Sequence, residues 1–220
     1  MVLALAGATG LVGSECLKAL AGRSDVANVL TLGRRSPAVQ DARVSFAQVD
    51  FANLNVEPSP AHPLTAALCA LGTTIKKAGS AEAFRAVDHD AVVSFATWAK
   101  HHGCPTFVMV SSVGADATSG TLYLRVKGQT EQAVGALGFQ TVIVLRPGVL
   151  LGERLESRPA EAVARAVMPV LGKLLVGGLH KYRGIEAKDV ATAMLTAARI
   201  DAPGIGMQVW HNKEITQHAS

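Results

Sequence analysis

The chain has 220 residues, 49% of them hydrophobic and 17% charged, with a formal net charge of +4. That balance is ordinary for one compact globular domain, alone or with a small lobe, and excludes a disordered, collagen-like or disulfide-dense chain. The charge is spread along the sequence, with basic pairs at Arg34-Arg35 and Lys76-Lys77 but no longer basic run, so neither a nucleic-acid nor a membrane partner is expected.

The first apolar run, Val2 to Ala6, reads as a strand. It is too short to span a bilayer and carries no basic leader or small-residue cleavage site, so a cytoplasmic protein is expected. Gly7, Gly10 and Gly13 follow and lead into an amphipathic pattern reaching Leu20. A strand that ends in glycines and runs into a helix is an anion site, because the first helical amides are unpaired and the helix dipole is positive there. A dinucleotide pyrophosphate fits it, with Gly7 for the tight turn, Gly10 for approach of the phosphates and Gly13 for close helix packing. Ala8, Thr9, Leu11 and Val12 complete the turn and its first helical amides. The other reading of these glycines is close packing of helix on strand without a ligand.

A second strand, Val29 to Leu32, ends in "TLGRRS". An acidic residue there would bond the ribose 2′-OH of NAD, whereas an arginine pairs with the 2′-phosphate of NADP. Arg34 and Arg35 occupy that place and favour NADP(H); a solvated basic loop is the alternative. Further strands are expected at Val44 to Val49, Ala67 to Leu71, Thr106 to Val110 and Thr141 to Leu145. Continuous apolar runs such as "TFVMV" and "TVIVL" suit strands covered on both faces, and helices alternate with them. An α/β fold with a doubly wound parallel sheet follows.

The clearest helix runs from Ser80 to Gly103, and another from about Leu122 to Leu137. "FANLNVEPSPAHPL" holds three prolines and reads as a loop or broken helix. After Gly152 the rhythm weakens: a helix interrupted at Pro169, a glycine-rich connection, a helix from about Ala187 to Arg199 and a short strand, Gly206 to Trp210. With no linker in view, residues 1–220 read as a single dinucleotide-binding domain in which 152–220 supply a small substrate-side lobe.

Ligands of open α/β sheets lie outside the carboxyl ends of the strands. Asp50 and Phe51 end the third strand, Leu71, Gly72 and Thr73 the fourth, Ser111 and Ser112 the fifth, and Arg146, Pro147 and Val149 follow the sixth. Asp50 could bond the adenine amino group, and "LGTT" lets backbone and hydroxyls approach the ribose and nicotinamide side. Tyr123 and Lys127 stand four apart on one helical face. A cation beside a phenol favours phenolate, so Tyr123 could pass its proton to a carbonyl oxygen while hydride arrives at the carbon. A surface Tyr-Lys packing pair is the bland alternative. Ser112, with Ser111 second, is placed to hold the substrate oxygen; successive strand residues point their hydroxyls to opposite sides.

Cys16, Cys69 and Cys104 are odd in number and set in apolar contexts, and no histidine pair has ligand spacing. Neither a disulfide framework nor a metal site is expected.

The glycine motif, the strand-end Ser-Ser and Tyr-x-x-x-Lys resemble the short-chain dehydrogenase/reductase superfamily. More narrowly, "LGTTIKKAGSAEAFRAVDHD", "VSSVGADATSGTLYLRVKGQTE" and "LRPGVLLGERLESRP" are similar to its atypical Tat-interacting-protein-like branch, over about residues 1 to 200. The resemblance implies a Rossmann-fold NADPH binder, with Ser112, Tyr123 and Lys127 on the superfamily's catalytic serine, tyrosine and lysine, Tyr123 and Lys127 also bordering the cofactor. Asp88 stands where many members keep an asparagine, which departs from their proton relay. The expected activity is NADP(H)-dependent reduction of a small carbonyl compound. A non-catalytic NADPH-binding sensor is the alternative, a flavin- or quinone-linked reductase a third, and oligomeric state stays open.

Overall fold

The computed structural model describes residues 1–152, 183–200 and 206–219. Strands β1 (Val2–Ala6), β2 (Asn28–Gly33), β3 (Val44–Gln48), β4 (Ala66–Cys69), β5 (Thr106–Val110) and β6 (Thr141–Leu145) are followed by two short strands, β7 (Leu150–Leu151) and β8 (Ile185–Glu186), and by β9 (Gly206–Trp210). Among the described residues the main sheet has seven strands in the order β3-β2-β1-β4-β5-β6-β9, every pair parallel, and β7 pairs with β8 apart from it. The chain winds outward from β1 to β3, returns to β4 on the other side of β1, and winds outward again. This is a Rossmann-type doubly wound α/β fold, and its crevice opens where β1 and β4 part.

Helices α1 (Leu11–Ala19), α2 (Ile75–Ala78), α3 (Ala81–Arg85), α4 (Ala91–His101), α5 (Leu122–Gly135), α6 (Ala187–Ala197) and α7 (Asn212–His218) flank the sheet. Successive strand residues point to opposite faces, so β1 sends Leu3 and Leu5 to the layer of α1 and α6, and Ala4 and Ala6 to that of α4. Small alanines on the second face leave room for Phe95, which stacks on Trp98 with centroids 5.7 Å apart and meets Phe107 in a tilted contact at 5.8 Å. Covered on both faces, β1, β4, β5 and β6 carry the continuous apolar runs that made them legible.

The helix expected from Ser80 to Gly103 is interrupted: α3 and α4 are joined by a π-helical turn, Ala86–Asp90. Ser80 caps α3 by accepting from the Ala83 amide at 3.1 Å, and Gly103 takes φ +72° just beyond α4. The added residue in the turn accompanies the inward placement of Asp88, fully buried, and such turns are frequent at functional sites. The proline-rich loop is anchored to α4, since the Trp98 indole donates to Pro58 O at 3.0 Å and the His102 ring to Val56 O at 2.7 Å. For the segment 152–220, expected to supply a substrate-side lobe, the described residues give α6, α7 and β9 to the main layers, where β9 covers the edge of β6. The helix expected around Pro169 and the charged string "ERLESRP" lie outside the described residues.

All three cysteines are buried and unpaired, and burial pushes each thiol up to about 12. Among the described residues no group of acidic, His and Cys side chains could hold a metal ion, and no helix is long and apolar enough to cross a membrane.

Candidate active site

The glycine turn sits at the carboxyl end of β1, beside the switch point. Gly7 has φ +87°, and a Cβ there would lie 2.5 Å from the Ala70 carbonyl carbon just beyond β4. A Cβ on Gly13 would lie 2.2 Å from Gly7 O, so the first turn of α1 rests directly on the strand end. Both positions therefore admit only glycine. Gly10 differs: it is exposed, has an ordinary extended φ of −81°, and caps α1 without a side-chain hydrogen bond. The first helical bond of α1 is Ser14 N–H to Gly10 O at 2.9 Å, which leaves the amides of Leu11, Val12 and Gly13 directed out of the helix start. This cradle fits an anionic pyrophosphate, with Gly10 as the open position where a side chain would intrude.

One cleft joins this turn to the end of β2. Gly7, Ala8 and Thr9 form one side of it, Gly33, Arg34 and Arg35 the other, and Leu71 at the end of β4 closes it. Arg34 and Arg35 are exposed, and neither is part of an ion pair among the described residues.

At the other side of the switch point lies a buried ion pair. Lys127 Nζ is 2.7 Å from Asp88 Oδ1, with side chains 6% and 0% exposed. The second carboxylate oxygen of Asp88 accepts from the Thr73 amide at 2.7 Å, and its carbonyl accepts from the Thr130 hydroxyl at 2.9 Å. Asp88 thus ties the π turn to the loop after β4 and to α5. Burial alone would lower the lysine's pKa, but the neighbouring groups, the Asp88 carboxylate first among them, outweigh it and hold the ammonium above its ordinary value. Tyr123, half-buried one helical turn before Lys127, packs its ring on Phe84 with centroids 5.6 Å apart. Gly72 lies over the pair: a Cβ there would be 3.4 Å from Asp88 Oδ1 and 3.6 Å from Lys127 Nζ.

Ser112, after β5, is half-buried and donates to Val113 O at 3.3 Å. Ser111 points the other way and donates to Glu131, as expected of successive extended residues. Arg146 reaches the same carboxylate with Nε at 3.0 Å and with Nη2. The Ser111 hydroxyl and the Arg146 side chain, both among the residues expected at the cofactor, are thus directed at Glu131. Glu131 is 3% exposed, and a buried carboxylate needs charge and donors. Asp50 is likewise occupied, accepting from Ala52 N at 3.0 Å and Asn53 Nδ2 at 2.7 Å as the cap of a short turn. Phe51 is buried edge-to-face against Phe95 rather than open to a ligand. Pro147 is buried and Val149 is 43% exposed at the mouth after β6.

Two positioning residues lack a local signal. Asp88 has one only in the departure already noted. Asn212, 3% exposed at the start of α7, accepts from Gly148 N and donates to Arg183 O, each at 2.8 Å, and so fixes the loop after β6 from 64 residues away.

Residues 3–207 match the model of the NAD dependent epimerase/dehydratase family. The chain belongs to that family. It is 37% identical over 227 residues to "Protein fmp52, mitochondrial" of Emericella nidulans, covering 98% of this chain and 97% of the relative. It is 38% identical to "Protein HTATIP2" of Rattus norvegicus, covering 95% and 85%, which bears out the resemblance to the Tat-interacting-protein-like branch. Among solved structures, the UDP-glucuronic acid 4-epimerase of Bacillus cereus in complex with NAD aligns with a TM-score of 0.68 at 14% identity, over 96% of this chain and 78% of that one. The UDP-glucose 4-epimerase of Thermotoga maritima aligns with 0.70 at 15%, over 96% and 77%. These neighbours share the Rossmann fold, and the family is one of nicotinamide dinucleotide proteins. The expectation of a cytoplasmic protein is overturned: the fungal relatives that align over nearly the whole chain, from Emericella nidulans to Candida albicans, are named as mitochondrial.

Proposed function

We propose that this protein is an NADP(H)-dependent oxidoreductase that reduces a small carbonyl compound, with Tyr123 as proton donor. The observation that carries this reading is Lys127, an ammonium 5% exposed at the carboxyl ends of the strands, one turn from the phenol. Burying such a charge costs several kcal/mol, even when paired. A place in the chemistry accounts for its retention.

Leu11, Val12 and Gly13 would hold the pyrophosphate through their amides, and Arg34 with Arg35 would pair with a 2′-phosphate in the cleft they share with Thr9. When bound, the reduced dinucleotide supplies hydride. Tyr123 gives its hydroxyl proton to the substrate oxygen, so the carbonyl becomes an alcohol as the dinucleotide is oxidised. Ser112 donates a hydrogen bond to the same oxygen, and Lys127 and Thr73, fixed through Asp88, set the floor beneath it. A panel of aldehydes, ketones and quinones, followed by NADPH oxidation with Tyr123→Phe as control, tests the reading. Turnover that the variant loses supports it. No turnover across the panel, with a protein partner whose affinity changes with NADPH, establishes the sensor function in its place.

A further inference from the structure

A second cavity, of about 420 Å³, lies where the chain enters β8 and where α7 begins. Among the described residues Arg183, Ile185, Asn212, Lys213 and Gln217 line it, two cations and no carboxylate, and it shares no residue with the cleft between the glycine turn and Arg34-Arg35. Arg183 is held by its backbone. Its carbonyl accepts from Asn212 Nδ2 at 2.8 Å, and two residues on, the Ile185 amide donates to Val149 O at 2.9 Å. The Arg183 Nε is shielded from solvent and, among the described residues, has no hydrogen-bond partner. A guanidinium N–H withdrawn from water and left unpaired is destabilising, so the arrangement calls for an acceptor. Neither Arg183 nor Lys213 belongs to an ion pair among the described residues. Glu214, next to Lys213 in the chain, is engaged elsewhere, its carboxylate accepting from the His211 amide at 2.9 Å.

We propose that Arg183 and Lys213 form a binding site for a small organic anion, a carboxylate or a phosphate ester, apart from the dinucleotide cleft. A guanidinium pairs two oxygens of such a group through Nε and one Nη in a planar fork, and less freedom is lost when its backbone is already fixed. Lys213 supplies a second charge, and Ile185 an apolar wall. A cavity of this volume is in the range that small ligands occupy and is larger than an inorganic anion fills, so the ligand has an organic body. The site is tied to the crevice. Asn212, which holds the Arg183 carbonyl, also accepts from Gly148 N at 2.8 Å in the loop after β6, and β6 lies beside β5, which Ser112 follows. An anion held there is thus linked through Asn212 to the loop at the carboxyl end of the sheet.

The inference goes beyond the oxidoreductase reading, and binding tests it without turnover. Phenyl phosphate and benzoate, with benzamide as the uncharged counterpart, are titrated into the full chain while the Arg183 Nε–H signal is followed by NMR, assigned by its absence in Arg183→Gln. An Arg34→Ala, Arg35→Ala background weakens the competing cleft. A saturable shift with either anion and none with benzamide is expected, and Lys213→Gln should weaken the binding by at least about tenfold, since a charge-assisted contact is lost. No saturable shift up to about 10 mM of either anion, an equal response to benzamide, or undiminished affinity in Lys213→Gln overturns the proposal. Given the shift, anions that compete with an active carbonyl substrate identify the site with the substrate's own anionic group, and anions that do not compete identify a separate ligand. Either result retains the site.

Discussion

Arg146 and Glu131 meet through Nε at 3.0 Å and through Nη2, so the arginine that follows β6 grips α5 instead of reaching into the crevice. The carboxylate is 3% exposed and also takes the Ser111 hydroxyl. Glu131→Ala would leave a partly buried guanidinium without its counter-charge, which typically costs about 3–5 kcal/mol. Urea unfolding should show that loss as a lower midpoint with an unchanged slope. A loss below about 1 kcal/mol would place the pair among surface bridges.

Arg34 and Arg35 share the cleft with Thr9. A charge-assisted contact to a 2′-phosphate contributes on the order of 1.5–3 kcal/mol, so NADPH should bind at least about tenfold more tightly than NADH. Fluorescence titration of the Arg34→Ala, Arg35→Ala double variant should bring the two affinities within about threefold. Equal affinities in the parent would rule out the 2′-phosphate assignment.

Gly10→Val should leave the fold intact and abolish dinucleotide binding. Its Cβ would lie 3.2 Å from Gly7 O, tight but tolerable, with the rest of the side chain in the pyrophosphate's place. Circular dichroism with cofactor titration decides it. A folded variant with parental affinity would reduce the turn to packing.

Lys127 gives stability a sign with pH. Its folded-state pKa is raised above the ordinary 10.5, so its contribution is full below that value and is lost as pH rises through the folded value. Stability measured from about pH 9 to 12 should therefore fall more steeply above about 10.5 in the parent than in the Asp88→Asn, Lys127→Met variant. Parallel curves would mean that the ammonium gains nothing from Asp88.

What was legible in the sequence was what repeats locally. β1, β4, β5 and β6 showed as apolar runs because both faces are covered, and the glycine turn and Tyr123-Lys127 showed as fixed spacings. The π turn left no such trace: one added residue barely disturbs the apolar period across Phe84, Val92 and Phe95, yet it carries Asp88 inward. Glu131 and Arg146 are 15 apart and read as surface letters, and Asn212 bonds a residue 64 positions earlier. Pairings of that kind are set by topology, as is the placement of β9 beside β6.

Tyr123→Phe separates proton transfer from binding. The ring packs on Phe84, and phenylalanine keeps that contact while removing only the hydroxyl. Cofactor affinity should stay within a few-fold, whereas turnover of an active carbonyl substrate should fall by roughly 10² or more, the usual contribution of a general acid. Lys127→Met should differ, weakening both, since it strips the counter-charge from a fully buried Asp88 that also fixes Thr73. The pH dependence gives an independent check: an alkaline limb in the parent's rate of reduction should be missing from whatever activity Tyr123→Phe retains. Parental turnover in Tyr123→Phe on a confirmed substrate would remove the proton-donor role.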